Sequence, residues 1–287
     1  MVVAGGAGSG TDLIARALAD AANRGGMKPP IRVRNIDGEE GVKGARMVQQ
    51  AKGDGCTMLI ANQSVLANFL SWRAPFAWHD FRHVALLTRT PMVIAAPFDA
   101  GFDDGRGLVE TARVEPVVFG VGPGTIGEFD MRALGKSADV EFQFDVILGA
   151  RDRVAALLAG EIDATVIPTA LAKRLKDTFR MKPIAVTDWA PSRELPDVSP
   201  LRDQGVAFDT SIDTGVMLPP SASADLAQKL ADTLETAVAD QAFQTAMAEY
   251  DVRIDFRPLT QYTIYWENLM ASWREIAVEA GYERSSR

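Results

Sequence analysis

Val2-Val3-Ala4-Gly5-Gly6-Ala7-Gly8-Ser9-Gly10-Thr11-Asp12, running on into Leu13-Ile14-Ala15-Arg16-Ala17-Leu18-Ala19, reads as an apolar strand end, a glycine-rich turn and the start of a helix. Such a turn builds an anion site. Glycines let backbone N–H groups converge, and the first helical turn adds unpaired donors and the positive end of the helix dipole. A phosphate and a carboxylate both suit that chemistry. A nucleotide phosphate implies an enzyme, whereas a small carboxylate implies only capture.

Outward from this stretch, strand and helix patterns alternate, which predicts an α/β fold with parallel sheets and crossover helices. Ile31–Asn35 is a strand, Asp37-Gly38-Glu39-Glu40-Gly41 a loop, and Val42–Ala51 a helix with Val42, Ala45, Val48 and Ala51 on one face. Asp54-Gly55 turns the chain into the buried strand Cys56–Ala61, with Asn62-Gln63-Ser64 just past its carboxyl end. In open α/β sheets that rim is where ligands bind, so Asn62 and Gln63 are candidate contacts, with loop-closing bonds as their alternative role. Val84–Thr88 and Met92–Pro97 are further strands, and the glycine-rich run Gly101–Gly107 marks a passage into a second lobe. There the opening pattern returns in kind: strand Val117–Val121, turn Gly122-Pro123-Gly124-Thr125-Ile126-Gly127, helix Glu128–Lys136 and strand Glu141–Asp145. Helix Asp152–Ala159 and strands Asp163–Ile167 and Ile184–Thr187 follow, and Thr214–Pro220 returns to the first lobe. Three helices close the chain, the last with Tyr262, Tyr265, Trp266, Leu269, Trp273 and Ile276 in a stripe that reads as core packing. The expected division is 1–98 with 214–287 as one lobe and 99–213 as the other, with a ligand cleft between them.

Composition narrows the function. The chain has 287 residues, 47% hydrophobic and 24% charged, enough for two lobes of roughly 100–150 residues each. A net charge of −8 argues against a nucleic-acid partner, which needs basic patches. No run of about 18 apolar residues is present to span a bilayer. The start carries no signal-peptide pattern, and Met1 lies almost inside the first strand, as expected of a trimmed chain or a late-starting reading frame. Cys56 is the sole cysteine, so neither an intrachain disulfide nor a multi-cysteine metal site can form. His79-Asp80-Phe81-Arg82-His83 has metal-ligand spacing, but Pro75, Trp78 and the Val84–Leu87 strand mark a surface loop. Ser9 has Ala7 and Thr11 where a nucleophile elbow requires glycines. No metal or cofactor is implied.

In order along nearly the whole chain, several stretches resemble the substrate-binding proteins of tripartite tricarboxylate transporters, the Bug or TctC family. Gly5–Arg16 is similar to the family's opening glycine loop and Thr/Ser-Asp helix start, with one or two extra loop residues. Arg34–Gly41 and Gly53–Met58 are similar to its next loop and its Pro-Asp-Gly-Tyr-Thr-Leu turn. Asp80–Leu87, Ala156–Asp163 and Arg193–Val198 also match. The resemblance implies a two-lobed, flytrap-type (type II) periplasmic binding protein with a mainly parallel sheet in each lobe. It also implies a monomer that captures a small organic carboxylate for the membrane subunits of a transporter. Carried over by position, the ligand loops are Gly6, Ala7, Gly8, Ser9, Gly10, Thr11 and Asp12 in one lobe, and Gly124, Thr125, Ile126 and Gly127 in the other. Gly149 and Ala150 fall in a further family segment. Asp12 has a second role open to it, capping the helix.

Two departures stand out. Ile126-Gly127-Glu128-Phe129 replaces the serine and histidine usual after the second glycine loop, and Ile167-Pro168-Thr169 replaces polar residues. Ile126 and Phe129 predict a more apolar pocket, and hence a ligand with a carboxylate end and a hydrophobic or aromatic body.

Two other functions compete. A dinucleotide-dependent oxidoreductase is suggested by the glycine turn and by Asp37 after the next strand. Its spacing fails where Thr11 stands in place of the third small residue, and no Tyr-x-x-x-Lys pair supplies a proton donor. A stand-alone carboxylate sensor or carrier is the other, suggested by the absent signal sequence.

Overall fold

Ser9 starts the first helix. Its hydroxyl accepts the Asp12 N–H, and the helix runs from Gly10 to Arg24 with Ile14, Leu18, Ala15 and Ala22 buried on one side. At the far end Arg24 meets Asp240 at 2.6 Å, and Asp240 in turn caps a later helix through the Ala242 and Phe243 amides. Local capping and long-range packing thus agree at both ends.

The structure is a computed structural model in which residues 1–178 and 180–282 are described. In chain order the elements are β1 (Val2–Val3), α1 (Gly10–Arg24), β2 (Arg34–Asn35), α2 (Val42–Gln49), β3 (Leu59–Ala61), α3 (Ser64–Leu70), β4 (Arg82–Thr90) and β5 (Met92–Pro97). Then come α4 (Gly105–Ala112), β6 (Val118–Val121), α5 (Ile126–Ala138), β7 (Gln143–Val146), α6 (Ala150–Ala159), β8 (Ala164–Pro168), α7 (Thr169–Lys176) and β9 (Met181–Val186). The chain ends with β10 (Ile212–Leu218), α8 (Ala224–Val238), α9 (Gln241–Glu249), β11 (Arg253–Pro258) and α10 (Leu259–Glu279).

Two compact units result, Met1–Arg89 with Asp213–Arg287, and Thr90–Ile212. The first holds a six-stranded sheet in the order β11-β4-β10-β3-β1-β2. Its β2-β1-β3 portion is parallel, while β10 runs antiparallel to β3 and β11 to β4. The second holds a five-stranded sheet in the order β7-β6-β8-β5-β9, parallel across β7-β6-β8 and antiparallel on both sides of β5. The expected mainly parallel sheets are therefore mixed. Each of these antiparallel pairs includes a strand on which the chain enters or leaves a unit: β4, β5 or β10.

Strand Met92–Pro97, expected in the first lobe, lies at the heart of the second sheet. Val93 and Ala95 face one core, with Leu157 and Ala172; Ile94 and Ala96 face the other, with Leu108, Met131 and Leu134. Strands buried on both faces read as continuous apolar runs, so their pattern does not reveal which sheet they join. Gly101–Gly107, expected as the passage between lobes, is instead the capped start of α4. Asp104 accepts the Gly107 N–H at 2.7 Å, and Gly105 packs where a side chain would strike Leu201. The chain leaves the first unit at Arg89 and returns at Asp213.

In the first unit, α1, α8 and α9 bury Leu18, Leu230, Leu234 and Phe243 in one core. On α10, Tyr262, Trp266, Trp273 and Ile276 are fully buried, as the stripe predicts. His83 also belongs to the interior rather than to a surface loop. Its ring stacks on Trp78 at 5.2 Å, with Nδ1 2.8 Å from Thr263 Oγ1 and Nε2 3.1 Å from the Trp78 carbonyl.

Burial depresses the His83 pKa, the bond to the Trp78 carbonyl opposes this, and the nearby Arg82 and His79 depress it further. The folded state therefore holds the ring neutral, while the unfolded chain protonates it near pH 6.5. Its contribution to stability is complete above that pH and is lost as pH falls toward the folded-state pKa. In calorimetry, Tm is expected to fall from pH 7.5 to 5.5, and His83→Gln to flatten that fall.

Candidate functional site

Because β2, β1 and β3 are parallel neighbours, their carboxyl ends share one edge of the first sheet. That edge carries Ala4–Ser9, Ile36–Gly38 and Asn62. In the second unit the same rule groups the carboxyl ends of β7, β6 and β8, bringing Gly122–Thr125 beside Ile147–Gly149 and Thr169. Each unit thus presents one glycine loop, leading into a helix, at the carboxyl edge of its own parallel strands.

The first loop turns on Gly8, whose φ of +79° is left-handed backbone that a side chain would strain. The Gly8 N–H donates to Asp12 Oδ2 at 2.8 Å. Asp12 is only 2% exposed, and Arg16 grips both its oxygens, from Nε at 3.1 Å and Nη2 at 3.0 Å. Asn35 completes the set, donating to Asp12 Oδ1 at 2.9 Å and to the Gly5 carbonyl at 3.2 Å, while its own oxygen accepts from Arg16. Burial by itself would raise the Asp12 pKa; the bonds from Arg16, Gly8 and Asn35 outweigh it and hold the group below the usual range. The structure shows a role beyond the ligand contact and the cap expected of Asp12. Asp12 binds the loop, and the cap itself is Ser9.

The second loop repeats this construction. Gly124 has φ +60° and donates its N–H to Glu128 Oε2 at 2.6 Å. Glu128 is 3% exposed, and Arg132 donates to its Oε1 from Nε at 3.1 Å and Nη2 at 2.9 Å. Arg132 lies over the Phe144 ring at 4.2 Å. Thr125 closes the turn by donating from Oγ1 to the Gly122 carbonyl at 2.7 Å. In both units the spacing is glycine, acid four residues on, arginine four residues further: Gly8-Asp12-Arg16 and Gly124-Glu128-Arg132.

With the Gly8 and Gly124 amides committed inward, the donors that remain include those at the helix starts. Among the described residues, no acceptor takes the amides of Ala7, Gly10, Thr11, Ile126 or Gly127. Ser9 donates its amide back to Gly6. Gly6 faces Asp37, whose Oδ2 would lie 3.3 Å from a methyl group placed there. Gly149 caps α6, and Ala150 is its first residue.

Asn62 and Gln63 turn out to be structural on their oxygen side. Asn62 Oδ1 accepts the Ser64 N–H at 3.0 Å, and Gln63, 2% exposed, accepts the Asp213 N–H at 2.9 Å. Phe129, expected to line an apolar pocket, is 1% exposed and belongs to the interior; Ile126 remains half-buried at the loop. Two features gave no sign in the sequence pattern. Arg153 on α6 reaches the second loop, where its Nη1 donates to the Ile147 carbonyl at 3.1 Å and would lie 3.2 Å from a methyl group on Gly122. Gly44 on α2 lies so close to the first loop that a methyl group would come within 2.9 Å of Ala4 Cα and of the Ile36 carbonyl.

The family model for the tripartite tricarboxylate transporter family receptor matches residues 14–281. The chain belongs to this family. Its members are solute-binding proteins rather than enzymes, so the dinucleotide-dependent oxidoreductase is set aside. A curated relative, the "UPF0065 protein in tcbD-tcbE intergenic region" of a Pseudomonas species, is 24% identical over 86% of this chain and 75% of its own length. Among solved structures, a TctC solute-binding protein from Polaromonas matches with a TM-score of 0.81 at 19% identity, covering 97% of this chain and 96% of its own. MatC from Rhodopseudomonas palustris, solved with bound malate, matches at 0.73 and 20% identity, covering 96% and 97%. A second R. palustris protein, solved with adipate, matches at 0.77 and 21% identity, covering 98% and 96%. The periplasmic-binding-protein fold read from the sequence is therefore the fold of this receptor.

The tight seat of α2 on the glycine loop is open to measurement. Gly44→Val is expected to lower stability by about 1–3 kcal/mol through overpacking against Ala4, seen as a lower urea midpoint with an unchanged m-value.

Proposed function

We propose that this receptor works outside the cytoplasm, capturing a small organic carboxylate, a di- or tricarboxylate or an aromatic acid, and handing it to the membrane subunits of a tripartite transporter. The observation that carries this reading is the pair of glycine loops. Each stands at the carboxyl edge of parallel strands, and among the described residues no acceptor takes the first two amides of the helix that follows: Gly10 and Thr11 in one unit, Ile126 and Gly127 in the other. Backbone donors at a helix start suit a carboxylate oxygen. The malate and adipate held by the two R. palustris relatives belong to that chemical class. Arg153 beside Gly122 adds a positive charge at the second loop, and half-buried Ile126 offers an apolar contact for the ligand body.

The mechanism is capture without chemistry. The ligand carboxylate exchanges water for loop amides, directly or through bridging waters, and the ligand-bound form is selected from the receptor's conformations for delivery.

A thermal-shift screen of mono-, di- and tricarboxylates and aromatic acids tests the reading. A ligand at 100 times its Kd stabilises by about 2.7 kcal/mol, a Tm rise of roughly 5 °C or more. A screen in which every acid leaves Tm unmoved contradicts carboxylate capture. For an acid that binds, Arg153→Ala is expected to weaken affinity about tenfold, the equivalent of one charge-assisted hydrogen bond, as measured by calorimetric titration.

A further inference from the structure

We propose that Asp12 and Glu128 are positioning residues for the ligand loops, and that Arg16 and Arg132 act as electrostatic shields that let a helix start already holding one carboxylate accept a second. The inference deepens the proposed function and rests on it for its affinity arm only.

An acidic residue at the third position of a helix commonly reaches back to the N-cap amide. Here each acid reaches one residue further, to a left-handed glycine: Asp12 to Gly8 at 2.8 Å, and Glu128 to Gly124 at 2.6 Å. That bond fixes the direction of the peptide units that follow. Among the described residues no acceptor takes the first two helical amides, Gly10 and Thr11 or Ile126 and Gly127. A side chain on either glycine would strain the left-handed backbone.

The arrangement has an electrostatic cost. A buried carboxylate in the first turn already engages the positive helix end, and its charge opposes a second anion a few ångströms away. The arginine four residues on removes that charge in each unit. Arg16 holds Asp12 through two contacts of 3.1 and 3.0 Å, and Arg132 holds Glu128 through two of 3.1 and 2.9 Å. Both acids are nearly inaccessible, at 2% and 3% exposed, whereas the Arg16 and Arg132 side chains are 50% and 26% exposed. Each pair presents a neutral backing to the loop. The same device at the same spacing on two sheets with unrelated flanking sequence points to a requirement of the loops rather than to one helix's stability.

The test has two arms on the full chain. In the first, without ligand, the Gly8 and Gly124 amide protons are followed by NMR. Both are expected downfield and slow to exchange; Asp12→Ala is expected to move Gly8 upfield and quicken its exchange, while Asp12→Asn, which keeps an acceptor, preserves most of the shift. A Gly8 amide unchanged in Asp12→Ala overturns the positioning role, whatever the ligand. In the second arm, malate and adipate are titrated by calorimetry. Arg16→Gln is expected to weaken binding about tenfold, an unscreened like charge a few ångströms from the ligand, and Asp12→Asn combined with Arg16→Gln to recover to within about threefold of wild type. Equal losses in the single and double variants, or no loss in the single, overturn the shielding role. If neither malate nor adipate binds wild-type protein, the shielding role is overturned, while the amide arm still decides positioning and the wider thermal-shift screen decides the carboxylate reading.

Discussion

A carboxylate buried in the first turn of a helix has to be answered from every side, and in this receptor that requirement shapes both glycine loops. Taking a charged group out of water costs several kcal/mol, offset only when its oxygens are paired and hydrogen-bonded. For Asp12 the partners are Gly8, Arg16 and Asn35; for Glu128 they are Gly124 and Arg132. Each partner then imposes something of its own. The glycine must turn left-handed to aim its N–H backward, Asn35 must sit at the end of β2, and β2 must lie beside β1. Gly44 must be bare for α2 to close down on Ala4. The bonds that satisfy the acid also tie the loop in front of it, which is the basis of the positioning role proposed above.

Much of this was legible. The alternation of strand and helix gives the α/β class, the two glycine turns lie where the structure has them, and the buried residues of α10 follow from its aromatic stripe. The glycine-acid-arginine spacing also stands in plain view at 8, 12, 16 and at 124, 128, 132. What hides its meaning is that an acid after a glycine turn serves equally as a ligand contact, a cap or a loop tie, and only coordinates separate the three. Gln63 is less accessible still: its partner is the Asp213 amide, 150 residues away, and no local pattern encodes that bond. Strand Met92–Pro97 was placed on the wrong sheet because a strand covered on both faces shows no alternation to say which neighbours it has. Gly101–Gly107 misled for the opposite reason. Its glycines suggest freedom, yet Gly105 is bare because Leu201 and Gln204 leave no room for a side chain.

The fold outlasts its sequence. The matched structures share only 19–21% identity with this chain at TM-scores from 0.73 to 0.81. Amides at a helix start depend on loop shape rather than on side-chain identity, so substitutions that preserve the turn leave the donors intact. On the proposed function, selectivity then falls to the few side chains that border the amides. At the first loop that border is acidic, with exposed Asp37 beside Gly6; at the second it is cationic and apolar, with Arg153 and Ile126. On the proposed function, Asp37 suits a ligand hydroxyl or other donor beside the first loop, whereas Arg153 suits negative charge at its own loop. The two loops share one internal support and differ in what surrounds it, so on the proposed function substitutions at Asp37, Ile126 and Arg153 alter ligand preference while the buried acids keep the loops in shape.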